Sequence, residues 1–308
     1  MTPGVKYTFV RDHDRAVLNL SGWADYSEVL IESAGTRIAL SLYQAGKGRP
    51  CIVFIPGTMT HPLFYDDFLT LLAGAGFNVA GVHPLSHGKS PREKKLFTFA
   101  DMLQNIMDSV GYCLDHISSN VILMGSSQGG ILCLAAAGLD SRIRAAFPHN
   151  VLLPSLSSSI YITRFPHFLK PFTRPITSLM KLVSRISPGL ELPPEFYLDF
   201  DRVTRSKELR DLFFNDPLSR SNYPLCFLAS LFTANLKSIS DGSIKCPVVV
   251  IASTGDPLFP YSYCLEVYQK IVAPHKEMLV FHEPYHLLFN ESPESVIGPV
   301  VEKLKEYA

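Results

Sequence analysis

The chain has 308 residues, of which 47% are hydrophobic and 18% are charged, so it can bury a sizeable core. Its 28 basic residues balance 28 acidic ones, and without a basic patch this composition argues against nucleic acid as a partner. No stretch approaches the roughly 18 uninterrupted apolar residues that a membrane-spanning helix needs. Residues 1–20 carry charges throughout and do not resemble a secretory signal.

The first half of the chain alternates predicted strands with predicted helices. Residues 27–43 alternate in polarity around a turn at Ala34-Gly35 and predict a β-hairpin. Thr98, followed three residues later by Asp101, has the pattern of a capping box and predicts the start of a helix. Further strands are predicted at 51–57, 78–83, 120–125 and 143–149, and further helices at 64–77 and 129–139.

The alternation stops at residue 150 and resumes near residue 246. The intervening residues are rich in Pro, Phe and Leu and are too numerous for a loop, so they predict a helical insertion. Together these patterns predict an α/β fold with a mostly parallel central sheet, helices on both faces and a helical cap inserted after the sixth strand. The predicted divisions are an N-terminal extension (1–26), a core (27–149 and 241–308) and a cap (150–240).

Six cysteines are scattered along the chain, mostly within apolar runs, and none forms a C-x-x-C pair. This distribution predicts buried free thiols in a reducing compartment, so we expect a cytoplasmic protein. It gives little support to a structural zinc site, and we expect no metal.

The candidate chemistry begins where a predicted strand meets a helix of small residues. Gly125-Ser126-Ser127-Gln128-Gly129 fits G-x-S-x-G, a pattern that places a nucleophilic serine, here Ser127, on a sharp strand-to-helix turn. The alternative is a Gly/Ser-rich turn that only joins the strand to the helix.

A nucleophilic serine needs a histidine that takes its proton and an acid that orients the histidine. Asp256 follows one predicted strand and His286 follows the last one, in the chain order expected for this motif. The sequence therefore predicts a catalytic triad of Ser127, Asp256 and His286.

Four segments of the chain resemble those of α/β-hydrolases, close to the serine hydrolases that include monoacylglycerol lipases and lysophospholipases. GSSQGG resembles their nucleophile elbow, STGDPLFP their acid loop, YHLLFNES their histidine segment, and NDPLS (215–219) a segment late in their caps. The resemblance covers roughly residues 27–305. It implies an α/β-hydrolase fold, an acyl-enzyme on Ser127 and no cofactor.

The resemblance also implies an oxyanion hole made of two backbone N–H groups. Gln128, one residue past the nucleophile, supplies the first, and Thr58, in the loop after the third strand, supplies the second, with Met59 as the fallback. This loop reads Pro56-Gly57 where such enzymes usually have His-Gly. Met59 and His149 are expected to face the pocket.

Other acids and histidines compete for the same roles. Asp216 is the rival acid, but it lies in the insertion and is expected to form a turn of the cap or the start of a helix. His282 is the rival base, and it is expected to pack or cap at a strand end. His83 and His87 have the spacing of two metal ligands on a helix. Pro84 and Gly88 make their segment a loop, however, so we expect no metal there. His87 is expected to order that turn, as it does in the family. His61 follows the oxyanion loop, where it could line the pocket entrance, and is expected to be a solvated loop residue.

We therefore expect a serine hydrolase of carboxylic esters whose partner is a small-molecule acyl ester. The apolar cap favours a medium or long acyl group. A thioesterase, a lactonase or a carbon–carbon bond hydrolase would use the same triad, and a non-catalytic binding protein would share the fold. Lysines, arginines and phenylalanines in the cap also allow peripheral contact with a membrane, although no clean amphipathic helix is evident in the sequence.

Overall fold

The computed structural model describes residues 5–7, 23 and 25–308 of the chain. Most of the predicted N-terminal extension, residues 1–26, lies outside these ranges. The strands of the described residues are β1 (Val5–Tyr7), β2 (Tyr26–Ser33), β3 (Thr36–Tyr43), β4 (Cys51–Ile55), β5 (Asn78–His83), β6 (Val121–Ser126), β7 (Ala145–His149), β8 (Glu191–Leu192), β9 (Tyr223–Pro224), β10 (Val248–Ser253) and β11 (Lys276–Phe281).

Within the described ranges, all strands except β8 and β9 form one sheet in the order β1-β2-β3-β5-β4-β6-β7-β10-β11. The pairs β1–β2, β2–β3 and β3–β5 are antiparallel, and the remaining neighbours are parallel. Because β5 lies on one side of β4 and β6 on the other, the chain reverses its direction of progress across the sheet at β4. Ligands of open α/β sheets bind at the carboxyl ends of the strands at such a point.

Helices cover both faces of the sheet, as predicted. The helices are α1 (Asp66–Gly74), α2 (Phe99–His116), α3 (Gln128–Ala137), α4 (Thr173–Ile186), α5 (Phe200–Val203), α6 (Lys207–Asn215), α7 (Leu225–Phe232), α8 (Tyr261–Lys270), α9 (Leu288–Glu291) and α10 (Pro293–Lys305). Apolar residues of α1 and α10 belong to one core cluster, and those of α2, α3 and α8 belong to the other. The sheet is therefore the middle of three layers.

Two local predictions from the sequence are confirmed in detail. The hairpin of β2 and β3 turns at Ala34 and Gly35, which have φ values of 49° and 75°. Both positive values fit the two-residue turn that matches strand twist. Thr98 begins α2 with a capping box, in which its hydroxyl accepts from Asp101 N–H and its own N–H donates to the Asp101 carboxylate.

A helical insertion, which we name the cap, separates β7 from β10 and contains α4 to α7 with the small β8–β9 sheet. The strand that leads into it is the sixth of the predicted strands and the seventh in the structure, because β1 was not predicted. We keep the boundaries 27–149, 150–240 and 241–308 as a proposal for the division into core and cap. Among the described helices, none is long and apolar enough to cross a membrane.

Candidate active site

Ser127 lies on a sharp turn between β6 and α3. Its φ of 54° and ψ of −115° fall in a region that non-glycine residues rarely adopt. A Cβ added at Gly125 would lie 2.1 Å from the carbonyl oxygen of Gly129, and one added at Gly129 would lie 2.1 Å from that of Ile55. The two glycines therefore allow the close packing of strand and helix that holds Ser127 in this conformation.

Asp256 and His286 follow β10 and β11, two neighbouring strands, and their side chains meet. His286 Nδ1 donates to Asp256 Oδ2 at 3.0 Å, and both side chains are buried. The other carboxylate oxygen, Oδ1, accepts from the backbone N–H groups of Leu258 and Phe259 at 2.7 and 2.8 Å. With its proton on Nδ1, the imidazole leaves Nε2 free to accept a proton.

Asn150 also supports this pair, and the sequence did not single it out. Its side-chain Nδ2 donates to Asp256 Oδ2 at 2.6 Å and to His149 Nε2 at 2.7 Å. It has a φ of 53°, a conformation that Asn adopts more readily than most residues. The available signal was an Asn directly after a predicted strand that ends at the active-site edge of the sheet.

A small apolar cavity lies over Ser127 and His286. Its free volume is about 20 Å³, which is room for about one water molecule. Among the hydrogen bonds of the described residues, none joins Ser127 Oγ to His286, although both side chains line this cavity. The other lining residues come from the loop after β4, the cap and the ends of the sheet: Gly57, Thr58, Thr60, Tyr65, Leu198, Phe200, Val203, Phe213, Leu258 and Leu287.

The residues predicted for the oxyanion hole lie on both sides of Ser127. Gln128 is the first residue of α3, where a helix leaves its N–H without an intrahelical partner. Thr58 lines the cavity, and its hydroxyl donates to Gln128 Oε1 at 3.1 Å. This hydrogen bond joins the loop after β4 to the nucleophile turn.

Met59 does not have the role expected of it. Its N–H donates to the hydroxyl of Tyr223 at 2.8 Å, so it is not free to serve as the fallback oxyanion donor. Its side chain is buried and is not among those that line the cavity. Strand β9 of the cap lies against this loop, and the hydroxyl of its Tyr223 accepts the hydrogen bond from Met59 N–H.

His87 orders the turn after β5, as expected. Its Nδ1 donates to the carbonyl of Leu85 at 2.8 Å, so Nε2 accepts from the Tyr223 hydroxyl at 2.7 Å. Burial lowers the pKa of His87 to about 3, which keeps the ring neutral. Met59, Tyr223 and His87 thus form one chain of hydrogen bonds from the oxyanion loop through the cap to the core.

His149 lies behind the cavity and is not part of its lining, in contrast to the prediction. Its Nε2 accepts from Asn150, and its Nδ1 bonds to Ser126 Oγ at 3.2 Å. Burial lowers its pKa to about 3. Because β7 ends at His149 with its side chain among these partners, the ring packs beside His286 and does not line the cavity.

His61 and Asp216 form a second buried pair, which corrects the expectation of a solvated His61. His61 Nε2 and Asp216 Oδ2 are 2.5 Å apart, and neither side chain is exposed. The cap turn after α6 covers the loop after β4 and excludes solvent from it. Burial, the largest single influence, acts to raise the pKa of Asp216, but the hydrogen bond and charge of His61 together with hydrogen bonds from Leu218 and Ser219 outweigh it, and the pKa is lowered. Asp216 thus pairs with His61, and the acid that pairs with His286 is Asp256.

The two remaining histidines of interest have structural partners. His83 Nδ1 accepts from the N–H of Lys89 at 3.0 Å, and its Nε2 lies 2.8 Å from Ser41 Oγ. His282 Nδ1 lies 3.0 Å from the hydroxyl of Thr254. Within the part of the chain that the structure describes, no group of three or more His, Cys, Asp or Glu side chains is placed to hold a metal ion.

Sequence comparisons place these features in a known family. A family model described as "Serine aminopeptidase, S33" matches residues 46–293. A protein of Mycobacterium phage D29, named as a non-heme haloperoxidase, is 30% identical over 125 residues. That match spans 40% of this chain and 40% of the phage protein, so the chain aligns with less than half of this curated relative.

Solved structures share the fold over most of the chain. The monoacylglycerol lipase of Paleococcus ferrophilus is 23% identical with a TM-score of 0.70, covering 88% of this chain and 99% of its own. A soluble variant of monoglyceride lipase from Saccharomyces cerevisiae is 16% identical with a TM-score of 0.72, covering 91% and 94%. Mouse α/β hydrolase domain-containing protein 10 is 16% identical with a TM-score of 0.62, covering 92% and 100%.

Proposed function

This chain belongs to the serine aminopeptidase S33 family of α/β-hydrolases, and we propose that within it the protein cleaves carboxylic esters through an acyl-enzyme on Ser127. The observation that carries the proposal is the site itself. A serine on a strained strand-to-helix turn shares one apolar cavity with a histidine that an acid orients through Nδ1.

Ser127 Oγ attacks the acyl carbonyl while His286 Nε2 takes its proton. The backbone N–H groups of Gln128 and Thr58 stabilise the negative oxygen of the tetrahedral intermediate, and removal of one such donor costs about 3–4 kcal/mol of barrier. The histidine then protonates the leaving alcohol, and a water that His286 activates hydrolyses the ester of Ser127. The hydrogen bond between Ser127 Oγ and His286 Nε2 forms when substrate binds, since catalytic hydrogen bonds are often completed only in the substrate complex.

The cavity favours an apolar acyl group over a peptide amino terminus. Leu198, Phe200, Val203 and Phe213 of the cap face the serine, and none of the described lining residues is Asp or Glu. A free α-amino group buried here would have no carboxylate to pair with, which is costly. An ester of a medium or long acyl chain carries no such charge and needs no carboxylate to pair with.

The volume of the cavity implies that the cap moves during turnover. About 20 Å³ holds a water molecule but not an acyl chain. We therefore assign the structure to a closed state and propose that the cap segment around α5 and α6 shifts when substrate enters. Such a motion encloses the reacting ester and excludes bulk water from it.

The test is hydrolysis of p-nitrophenyl esters with acyl chains from short to long, by wild type and Ser127→Ala. We expect wild-type turnover with an optimum at medium or long chains and a Ser127→Ala rate at background. Removal of a triad nucleophile lowers kcat by about a millionfold in a well-studied serine protease, so the loss should be complete in this assay. Absence of wild-type turnover on every chain length would contradict the simple-ester proposal and favour another bond type.

A further inference from the structure

Helix α4 of the cap is exposed on its more apolar side. Ile176, Leu179, Val183 and Ile186 recur at three- and four-residue steps, which places them on one side of the helix. Leu179 is 61% exposed and Ile186 is 78% exposed. With Phe172 and Leu182, which are also exposed, these four residues form what we call the α4 apolar face.

The side of α4 that faces the protein is less apolar. The helix packs against α7, and its one buried residue is Ser184. Met180 is partly buried against the main core, and Thr173 and Thr177 are also partly covered. A helix that served only to stabilise the cap would place its leucines and isoleucines inward. The sequence prediction that the cap lacks a clean amphipathic helix is thus wrong for α4, because Pro175 and the scattered Ser and Thr residues obscured the pattern.

The segment that carries this face has charges of one sign. Residues 161–190 contain five Lys or Arg residues and no Asp or Glu. Arg174, Lys181 and Arg185 lie on α4 itself, off the apolar stripe. Glu191, the next acid along the chain, is paired with Arg220. An exposed apolar stripe backed by basic residues is the pattern of a helix that lies in a membrane interface.

We propose that the α4 apolar face docks the protein on lipid surfaces that contain anionic lipids. The apolar side chains insert between the headgroups and acyl chains, and the basic residues attract the negative surface. A second copy of this chain fits the face less well, because its own segment 161–190 carries the same positive charge and offers no complementary one, whereas an anionic lipid surface does. The inference concerns the surface of the cap and does not depend on the chemistry at Ser127.

The test is vesicle flotation with the Ser127→Ala protein, which prevents turnover of the lipids. Vesicles of phosphatidylcholine alone are compared with vesicles that also contain phosphatidylserine. We expect stronger binding to the anionic vesicles, which falls as salt is added. The double variant Leu179→Glu/Ile186→Glu should bind about tenfold or more weakly. The double variant Lys181→Glu/Arg185→Glu should lose the preference for phosphatidylserine.

The matched control is Leu139→Glu, at a leucine that is 60% exposed in the turn after α3. It should bind vesicles as the parent protein does. Failure of the parent to bind either vesicle, or equal binding by the α4 variant, would overturn the proposal. A dimer that Leu179→Glu/Ile186→Glu disperses, without vesicle binding by the parent, would assign the face to self-association instead. Ester turnover by wild type would stand in either case.

Discussion

At the residue scale, the hydroxyl of Tyr223 joins three parts of the molecule. It accepts from Met59 N–H in the oxyanion loop and donates to His87 in the turn after β5, while its own strand belongs to the cap. Tyr223 is fully buried, so neither partner can turn to solvent instead. The position of Thr58, the residue before Met59, therefore depends on this hydroxyl.

Tyr223→Phe should lower kcat on a short p-nitrophenyl ester by about tenfold or more with little change in KM, because the oxyanion donor is misplaced. It should also lower the free energy of unfolding by about 1–3 kcal/mol, because two buried groups lose their partner. Steady-state kinetics and urea unfolding measure the two effects.

The control is Tyr263→Phe, which removes another buried tyrosine hydroxyl that accepts a backbone N–H, that of Leu153 at 2.8 Å. It should be destabilised to a similar degree and keep its kcat. Equal losses of kcat in both variants would show that the effect of Tyr223→Phe is general loosening of the fold.

The residues that belong to sequence motifs could be predicted from the sequence, but the residues that contact them in the folded structure could not. Ser127, Asp256 and His286 follow predicted strands, so periodicity and chain order suffice to propose them. Asn150 and the His61–Asp216 pair depend on contacts between segments more than 100 residues apart. No local sequence pattern predicts such contacts. A histidine in a loop, such as His61, is therefore expected to be exposed to solvent, although in the structure the cap covers it.

At the scale of elements, Arg202 of α5 attaches the cap to the acid loop. Its guanidinium donates to the carbonyls of Pro257 and Leu258, at 2.8 and 3.0 Å, and to that of Tyr161 at 3.0 Å. The first two follow Asp256 directly. Helix α5 also carries Phe200 and Val203 of the cavity lining, so Arg202 sets the position of the cap over the site.

Arg202→Met keeps the length of the side chain and removes its donors. We expect kcat/KM on a long-chain ester to fall more than on a short-chain one, because the cap residues that contact the acyl chain lose their anchor. Arg164→Met is the control, since Arg164 donates within the cap to the carbonyl of Glu195. A uniform loss on both esters, or none, would contradict a role for Arg202 in acyl-chain binding.

The regular elements of the core were predictable because each has a short local signal. The α2 capping box, the hairpin turn and the buried strands all match within one to three residues. The cap was less predictable, since its helices are short and its apolar residues serve both a small core and an exposed face. Strand β1 also went unpredicted, because a three-residue strand carries too little periodicity to detect.

At the scale of the whole molecule, three buried histidines other than His286 link stability to pH. Burial lowers the pKa of His87 and of His149 to about 3, and lowers that of His83 well below its usual value. Their pKa values in the unfolded chain are about 6.5. Below that pH the unfolded chain therefore binds protons that the folded protein does not, so acid favours unfolding.

We expect the free energy of unfolding to be nearly constant above about pH 7 and to fall below about pH 6 by roughly 4 kcal/mol per pH unit. Urea unfolding at a series of pH values measures this slope. His87→Gln should reduce it by about 1.4 kcal/mol per pH unit, since one titrating group is removed. A free energy that is flat between about pH 5 and 7 would show that these rings are not held neutral by burial.

Covalent labelling by a fluorophosphonate shows whether the sheet brings Ser127 to a histidine that activates it, since only an activated serine reacts. Intact-mass and peptide analysis should find one adduct, on Ser127. The Ser126→Ala protein should still be labelled, whereas Ser127→Ala and His286→Ala should not be. Absence of label on folded wild-type protein, or a label that survives Ser127→Ala, would contradict the account.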